Sequence, residues 1–322
     1  MNGDRPRPRP GWVVVVRCLC RIPALTRRTN RQCRALSLAF QATIEPVLDT
    51  AISDAGLRRE LADQLLPWGI RGGTLVESYA ELSGQEPNPR LAVLAGVFAR
   101  IYDDLLDEAS DGTVIGRLDA LFAGAPMAPA TDLEVILEAL YHQLTGLADR
   151  PRHETTYRAL TALHQLQIAS LRQADGTMSA AEVWEITLAK GGLGMLVLGS
   201  LTHPGVSADE QLALHRIGRL LQLIDDYEDE TTDRQHGLHT AATTTTLTSR
   251  QLRADLGALE TQLRSLYGDR RALRFLDSLY FWLYAVLFTR VIARDRPPGR
   301  RSGAVPQRLP LRVLLRRRTV LR

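Results

Sequence analysis

Two short acidic clusters hold the residues best suited to chemistry: Asp103-Asp104-Leu105-Leu106-Asp107-Glu108 and Asp225-Asp226-Tyr227-Glu228-Asp229-Glu230. Each follows an apolar segment with helical periodicity, LAVLAGVFARIY before the first and LHRIGRLLQLI before the second. Asp103 and Asp107 are four residues apart, as are Asp225 and Asp229, so each pair projects from one face of a helix. Like charges at that spacing weaken a helix by roughly a few tenths of a kcal/mol. Both clusters also fall at the C-terminal ends of their expected helices, where the macrodipole disfavours negative charge. A chain that does this twice against apolar flanks calls for a cation. An all-oxygen ligand set suits Mg²⁺, which is held by a few carboxylates plus substrate phosphates. The expected ligands of two or three such ions are Asp103, Asp104, Asp107, Asp225, Asp226 and Asp229, with Asp103, Asp107, Asp225 and Asp229 as the catalytic core. Facing clusters of this kind would bind a diphosphate and favour its departure by neutralising charge on its oxygens.

The elements that must position these residues are helices. Period-2 alternation is nearly absent, and apolar residues recur at three- and four-residue steps through most of the body. Helices are expected over 35–52, 54–66, 72–83, 89–109, 114–123, 131–148, 153–174, 179–202, 207–230, 248–266 and 269–292. GQEPNP (84–89), GAPMAPA (124–130) and THPGVS (202–207) are loops, the last ending in Ser207 as the N-cap ahead of Asp209 and Glu210. No linker divides the body, and no repeat beyond the paired acidic motifs stands out. The expected fold class is all-α, one bundle of long helices around a central active-site cavity. Phe98, Tyr102, Trp184, Met195 and Tyr227 are candidate wall residues, since aromatic faces stabilise a carbocation.

Charge is unevenly spread. Residues 1–34 hold nine Arg against one acid, and residues 290–322 hold eleven Arg against one, so the overall +4 leaves the body between them at −14. An acidic body argues against a nucleic-acid-binding core and suits one that collects divalent cations. The domain reading is a basic, flexible arm over 1–34, the catalytic domain over 35–292 and a basic, disordered tail over 293–322; peripheral membrane contact through the tails and a homodimer stay open. Cys18, Cys20 and Cys33 form no CxxC pair, which fits a reducing cytoplasm. FLDSLYFWLYAVLF (275–288) carries an Asp and falls short of the ~20 apolar residues of a membrane span, so it reads as a buried terminal helix. Lys190 is the sole lysine among 40 basic residues.

The segment Gln222-Leu-Ile-Asp-Asp-Tyr-Glu-Asp-Glu-Thr-Thr-Asp233 resembles the second aspartate-rich motif of trans-prenyl diphosphate synthases, with the family's Gln three residues before the first Asp. Tyr-Asp-Asp-Leu-Leu-Asp-Glu-Ala is similar to its first motif. Val183-Trp-Glu-Ile-Thr-Leu-Ala-Lys190-Gly-Gly resembles the segment whose lysine binds diphosphate. The resemblance covers roughly residues 55–245 and implies the isoprenoid synthase fold, with Lys190, Arg71 and Arg234 on diphosphate and Gln222 and Asp233 orienting carboxylates. It also implies that the bulk of Phe98, five residues before Asp103, limits cavity depth, as for a substrate of fifteen or twenty carbons.

The departures from that family set the direction of the chemistry. Elongating synthases grip isopentenyl diphosphate with a GGKRxRP-like segment; here the region reads Trp68-Gly-Ile-Arg71-Gly-Gly-Thr74. The Arg pair after the first motif is replaced by Ser110-Asp-Gly-Thr113. The order of features is similar to large class I terpene synthases of the tetraprenyl-β-curcumene synthase type, in which a Gly-Gly pair precedes the first motif. The expectation is therefore an Mg²⁺-dependent class I terpene synthase that ionises one linear prenyl diphosphate and cyclises or rearranges the cation. The alternatives are a chain-elongating trans-prenyl diphosphate synthase, a helical Mg²⁺-dependent nucleotide pyrophosphatase and a noncatalytic partner subunit.

Overall fold

A computed structural model describes residues 11–107, 112–171 and 178–294, with side chains over 20–106, 112–171 and 178–290. Among the described residues every regular element is a helix: α1 (Gly11–Thr43), α2 (Glu45–Ala51), α3 (Ala55–Ser83), α4 (Pro89–Asp107), α5 (Gly112–Ala123), α6 (Asp132–Leu147), α7 (Glu154–Ser170), α8 (Ala180–Thr202), α9 (Ala208–His236), α10 (Ala241–Thr244), α11 (Ser249–Tyr267) and α12 (Asp269–Arg294). The fold is all-α. Its helix starts follow the expected cap chemistry. Ser207 accepts from the Glu210 N–H while the Glu210 carboxylate takes the Ser207 N–H, and Ser179 with Glu182 repeats the arrangement.

Two antiparallel helix pairs, α3–α4 and α8–α9, form the heart of the bundle, with α7 against α8 and with α1 and α12 flanking α3. One apolar core packs α1–α6 around Phe40, Leu65, Leu94, Ile101 and Leu118; a second packs α8–α12 around Leu214, Ile217, Ile224, Leu256 and Leu276. The two central pairs share a device. A Cβ on Gly72 of α3 would sit 2.7 Å from the Gly96 Cα of α4, and one on Gly218 of α9 would overlap the Gly191 carbonyl of α8. Each pair therefore crosses backbone to backbone at a Gly–Gly contact. Seven residues beyond the crossing Gly, Gly96 leads to Asp103 and Gly218 to Asp225; just before the partner glycine stand Arg71 and Lys190. The sequence thus carries a hidden duplication, Arg71-Gly-Gly with Gly96-x6-Asp-Asp and Lys190-Gly-Gly with Gly218-x6-Asp-Asp, which corrects the expectation that only the acidic motifs repeat.

Four further expectations need correction. The arm expected to be flexible over 1–34 is helical from Gly11, and it packs: Gln32 is buried, and Arg28 bonds the Ser78 hydroxyl, the Arg274 carbonyl and Glu81. The breaks expected between 66 and 72 are bridged, because α3 runs through Pro67 and its glycines are consumed by packing on α4. Helix 35–52 is instead two, since Pro46 at the start of α2 interrupts it after Ile44. Finally, α9 continues to His236 and ends at Gly237 in the left-handed region (φ 69°), with Arg234 and His236 in its last turn. The second acidic cluster is therefore mid-helix, and the macrodipole does not oppose it. The tail over 293–322 lies outside the described residues from 295 onward.

Burial of one acid has a measurable consequence. Glu77 of α3 is 3 % exposed, and burial, reinforced by the Glu81 charge, pushes its carboxyl up to about 7 from 4.5. The folded chain holds that proton to higher pH than the unfolded chain does, so this group's contribution to stability falls as pH rises from about 4.5 to about 7. Glu77→Gln is expected to remove the slope and leave the variant about 2 kcal/mol more stable than the parent at pH 8. Urea denaturation at pH 5 and pH 8 checks it; an equal shift at both pH values would show that the charge is not the cause.

Candidate functional site

A cavity of about 780 Å³ opens between α1, α3, α4, α8, α9 and α12. Asp103, Asp225, Lys190, Arg71 and Gln222, drawn from four helices, all line it. They meet there because the Gly crossings bring α3 to α4 and α8 to α9, and because residues one heptad past the crossing share its face. The Arg71 Nη2 donates to Asp225 Oδ1 at 2.9 Å across the mouth, linking the two halves. Both side chains are about half exposed (56 % and 42 %), so the pair contributes at most ~1 kcal/mol and exchanges readily for another ligand. Helix α7 ties the opposite side together. Gln167 Nε2 donates to Asp103 Oδ1 at 3.2 Å, and Lys190 Nζ donates to Ser170 Oγ at 3.2 Å.

The second Asp of each motif plays another part. Asp104 is buried, and Arg100 Nη2 contacts its Oδ1 at 2.5 Å. Asp226 is buried too, accepting from Gln222 Nε2 at 2.9 Å and from the Ala241 N–H at 3.0 Å. Neither lines the cavity among the described residues. Gln222 thus holds the Asp226 carboxylate. The Asp107 side chain lies outside the described residues. Asp229 is exposed one turn beyond Asp225, and Asp233 is buried at the foot of the cluster. Burial first, then the charges of Asp229, Asp226 and Asp225, hold the Asp233 carboxyl up to about 6. Burial also raises Asp226 and Glu228. The cluster is short of positive charge, the condition a bound cation relieves.

Arg234 does not reach the cavity; it pairs with Glu230 one turn back at 3.0 Å. The expected aromatic wall is also displaced. Phe98 and Tyr102 turn away into a cluster with Phe122 and Tyr141, where the Tyr102 hydroxyl meets His164 Nδ1 at 2.7 Å. Trp184 packs on the second core, and Tyr227 lies under the Arg290 guanidinium at 3.9 Å. The reason is helical phase: the α4 face that carries Asp103 also carries Ala95, Gly96 and Ala99, not Phe98. Phe98 therefore sets no cavity depth. The wall is built by Trp68, Leu75, Met195, Leu198, Leu221, Phe275, Leu279 and Trp282; of these only Met195 was expected.

Three contributors were not among the expected site residues. Trp68 is flanked by two guanidinium groups, Arg100 at 5.0 Å and Arg71 at 5.6 Å from its ring centre. Trp282 Nε1 donates to Glu228 Oε2 at 3.3 Å, and Arg290 Nη2 pairs with Glu230 at 2.7 Å, so α12 closes over the second acidic cluster. Arg100, four residues before Asp104, was legible as an i,i+4 pair; Trp282 and Arg290 were not, because α12 joins the site only through tertiary packing. Among the described residues no group of three or more carboxylate, His or Cys side chains converges tightly on one point. Mg²⁺ asks less than that: one or two carboxylates, with water and phosphate oxygens completing the shell. Asp103 and Asp225, both lining the cavity, are carboxylates of that kind, and the half-exposed Arg71 must leave Asp225 before a cation takes its place. No protein-family model matches the chain, and no curated protein matches it either.

Proposed function

We propose that the chain is a class I terpene synthase that ionises a linear prenyl diphosphate and cyclises or rearranges the resulting cation. One observation carries the reading: Asp103, Asp225, Lys190 and Arg71, from four helices, line a single cavity together with Glu228, Arg28 and Arg100, and most of the remaining wall is apolar. The resemblance of both acidic motifs and of the Lys190 segment to isoprenoid synthases supports it.

In this reading Asp103 and Asp225 would hold Mg²⁺, with Asp107 and Asp229 one turn further along the same helices. Mg²⁺ bound with the diphosphate neutralises charge that develops on the departing oxygens. Arg71 leaves its half-exposed pair with Asp225 and binds the diphosphate; Lys190 binds it from the other side. The allylic C–O bond breaks, and its electron pair leaves with the diphosphate. Leu198, Leu221, Leu279 and Phe275 exclude water from the cation, while the Trp68 and Trp282 faces offer cation–π stabilisation. Loss of a proton or capture of water ends the reaction.

Incubation with Mg²⁺ and prenyl diphosphates of ten to thirty-five carbons, read by mass spectrometry, is the test. The expected product is a hydrocarbon or alcohol formed without isopentenyl diphosphate. A longer diphosphate formed only with isopentenyl diphosphate would instead establish chain elongation, and pyrophosphate released from nucleotides would establish the pyrophosphatase alternative.

A further inference from the structure

A second, smaller cavity of about 170 Å³ adjoins the large one and shares Arg28, Ser78 and Phe275 with it. Its lining is basic: Arg28 from α1 and Arg270, Arg271 and Arg274 from the first turns of α12, against a single carboxylate, Glu81 of α3. Glu81 is already engaged, by Arg28 at 3.0 Å and Arg274 at 3.9 Å. Arg270 and Arg271 have no carboxylate within ion-pair distance among the described residues, and the Arg271 guanidinium lies over Gly84 at the end of α3. The lining itself holds four guanidinium groups against one carboxylate, with Asp277, paired to Arg21, and the buried Glu77 as further acids in electrostatic reach of Arg28. Like charges gathered this way raise the energy of the empty pocket, and an anion relieves it. Burial works most against the Arg28 cation and the Arg274 charge adds to it, while Glu81 and Asp277 act in its favour.

We propose that this annex is a second anion subsite, taking a phosphate or diphosphate group on paired guanidinium forks and needing no metal. Its size excludes a nucleotide, since pockets for ligands of that class run from ~300 Å³ upward. Guanidinium forks match phosphate oxygens two at a time. The site is separate from the acidic motifs. Along α3, Ser78 lies seven residues from Arg71 and Glu81 ten, which is about 10 and 15 Å at helical rise. The inference stands apart from the proposed reaction, because no residue of the acidic motifs enters it.

The test is arginine footprinting of the full chain with phenylglyoxal in metal-free buffer, read peptide by peptide. Inorganic pyrophosphate is expected to slow modification of Arg270, Arg271 and Arg274 several-fold, and to do so equally in the Asp225→Asn variant. Titration calorimetry in the same buffer should show one fewer pyrophosphate bound by an Arg270→Gln/Arg271→Gln double variant; both substitutions are at exposed residues, and both proteins keep the same basic tails. Protection by phosphatidylglycerol vesicles but not by pyrophosphate would identify the source of the phosphate as a lipid headgroup. Unchanged labelling with both probes, protection confined to the tails, or protection lost in Asp225→Asn would each overturn the proposal.

Discussion

Asp225→Asn is expected to lower turnover in the proposed reaction by roughly 10³-fold or more, a loss of ~4 kcal/mol of transition-state stabilisation, while the fold survives. The separation of effects follows from geometry. Asp225 is about two-fifths exposed at the cavity mouth, where it pairs with the half-exposed Arg71. Losing that pair changes stability by at most ~1 kcal/mol. The lost charge, in contrast, faces the cavity in which the proposed reaction puts diphosphate and metal. Asp103→Asn should behave alike, because Asp103 lines the same cavity from α4, where its carboxylate accepts from Gln167 Nε2. Asp226→Asn should not. Asp226 is buried and clasped by Gln222 and the Ala241 amide, so replacing it disturbs the α9–α10 junction and shows first in melting temperature. Steady-state kinetics beside thermal denaturation of all three variants reads the distinction. Full activity in Asp103→Asn and Asp225→Asn would sink the proposed chemistry; equal loss of stability in all three would make the carboxylates structural.

How far the site was legible depends on which forces placed each residue. The motif aspartates and Lys190 stood out because their local chemistry is awkward: like charges one helical turn apart, and one lysine in an arginine-rich chain. Local patterning also gave away the class of fold and the cap at Ser207. Wherever a residue's role depends on which helix it meets, local pattern was silent or misleading. Pro67, Gly69, Gly72 and Gly73 look like a break between helices; they lie inside α3 because the close approach to Val93, Val97 and Gly96 of α4 outweighs weak intrinsic propensity. Phe98 and Tyr102 looked like cavity wall because they are aromatic and near Asp103; one helical step turns them to a different core. Arg28 looked like part of a loose basic arm; Glu81, Ser78 and the Arg274 carbonyl make it a structural cation. The duplication was present in the letters, as Arg-Gly-Gly and Lys-Gly-Gly, yet it gains meaning only when each glycine is seen touching its counterpart.

That contact makes Gly218→Ala the substitution with the largest expected effect on the fold. A methyl at Gly218 would overlap the Gly191 carbonyl, and one at Gly191 would come within 2.5 Å of the Gly218 carbonyl and 2.8 Å of the Gln222 Cβ. Backbone cannot rotate aside as a side chain can, so α8 and α9 must separate. Overpacking of this kind costs about 1–3 kcal/mol, and a backbone-to-backbone crossing belongs at the upper end. The catalytic cost should exceed what the stability loss explains, because the same crossing sets the spacing between Lys190, adjacent to Gly191, and Asp225, one heptad from Gly218. A misplacement near 1 Å lowers rate by roughly 10²-fold. Gly116→Ala is the matched control: Gly116 sits within α5 with nothing near the site of its missing Cβ, so alanine there should add about 0.5–1 kcal/mol through helix propensity alone. Opposite shifts in urea midpoint for the two variants are expected, with activity lost only in the first. If Gly218→Ala matched Gly116→Ala in stability and turnover, the crossing would not be what holds the two halves of the site at working distance.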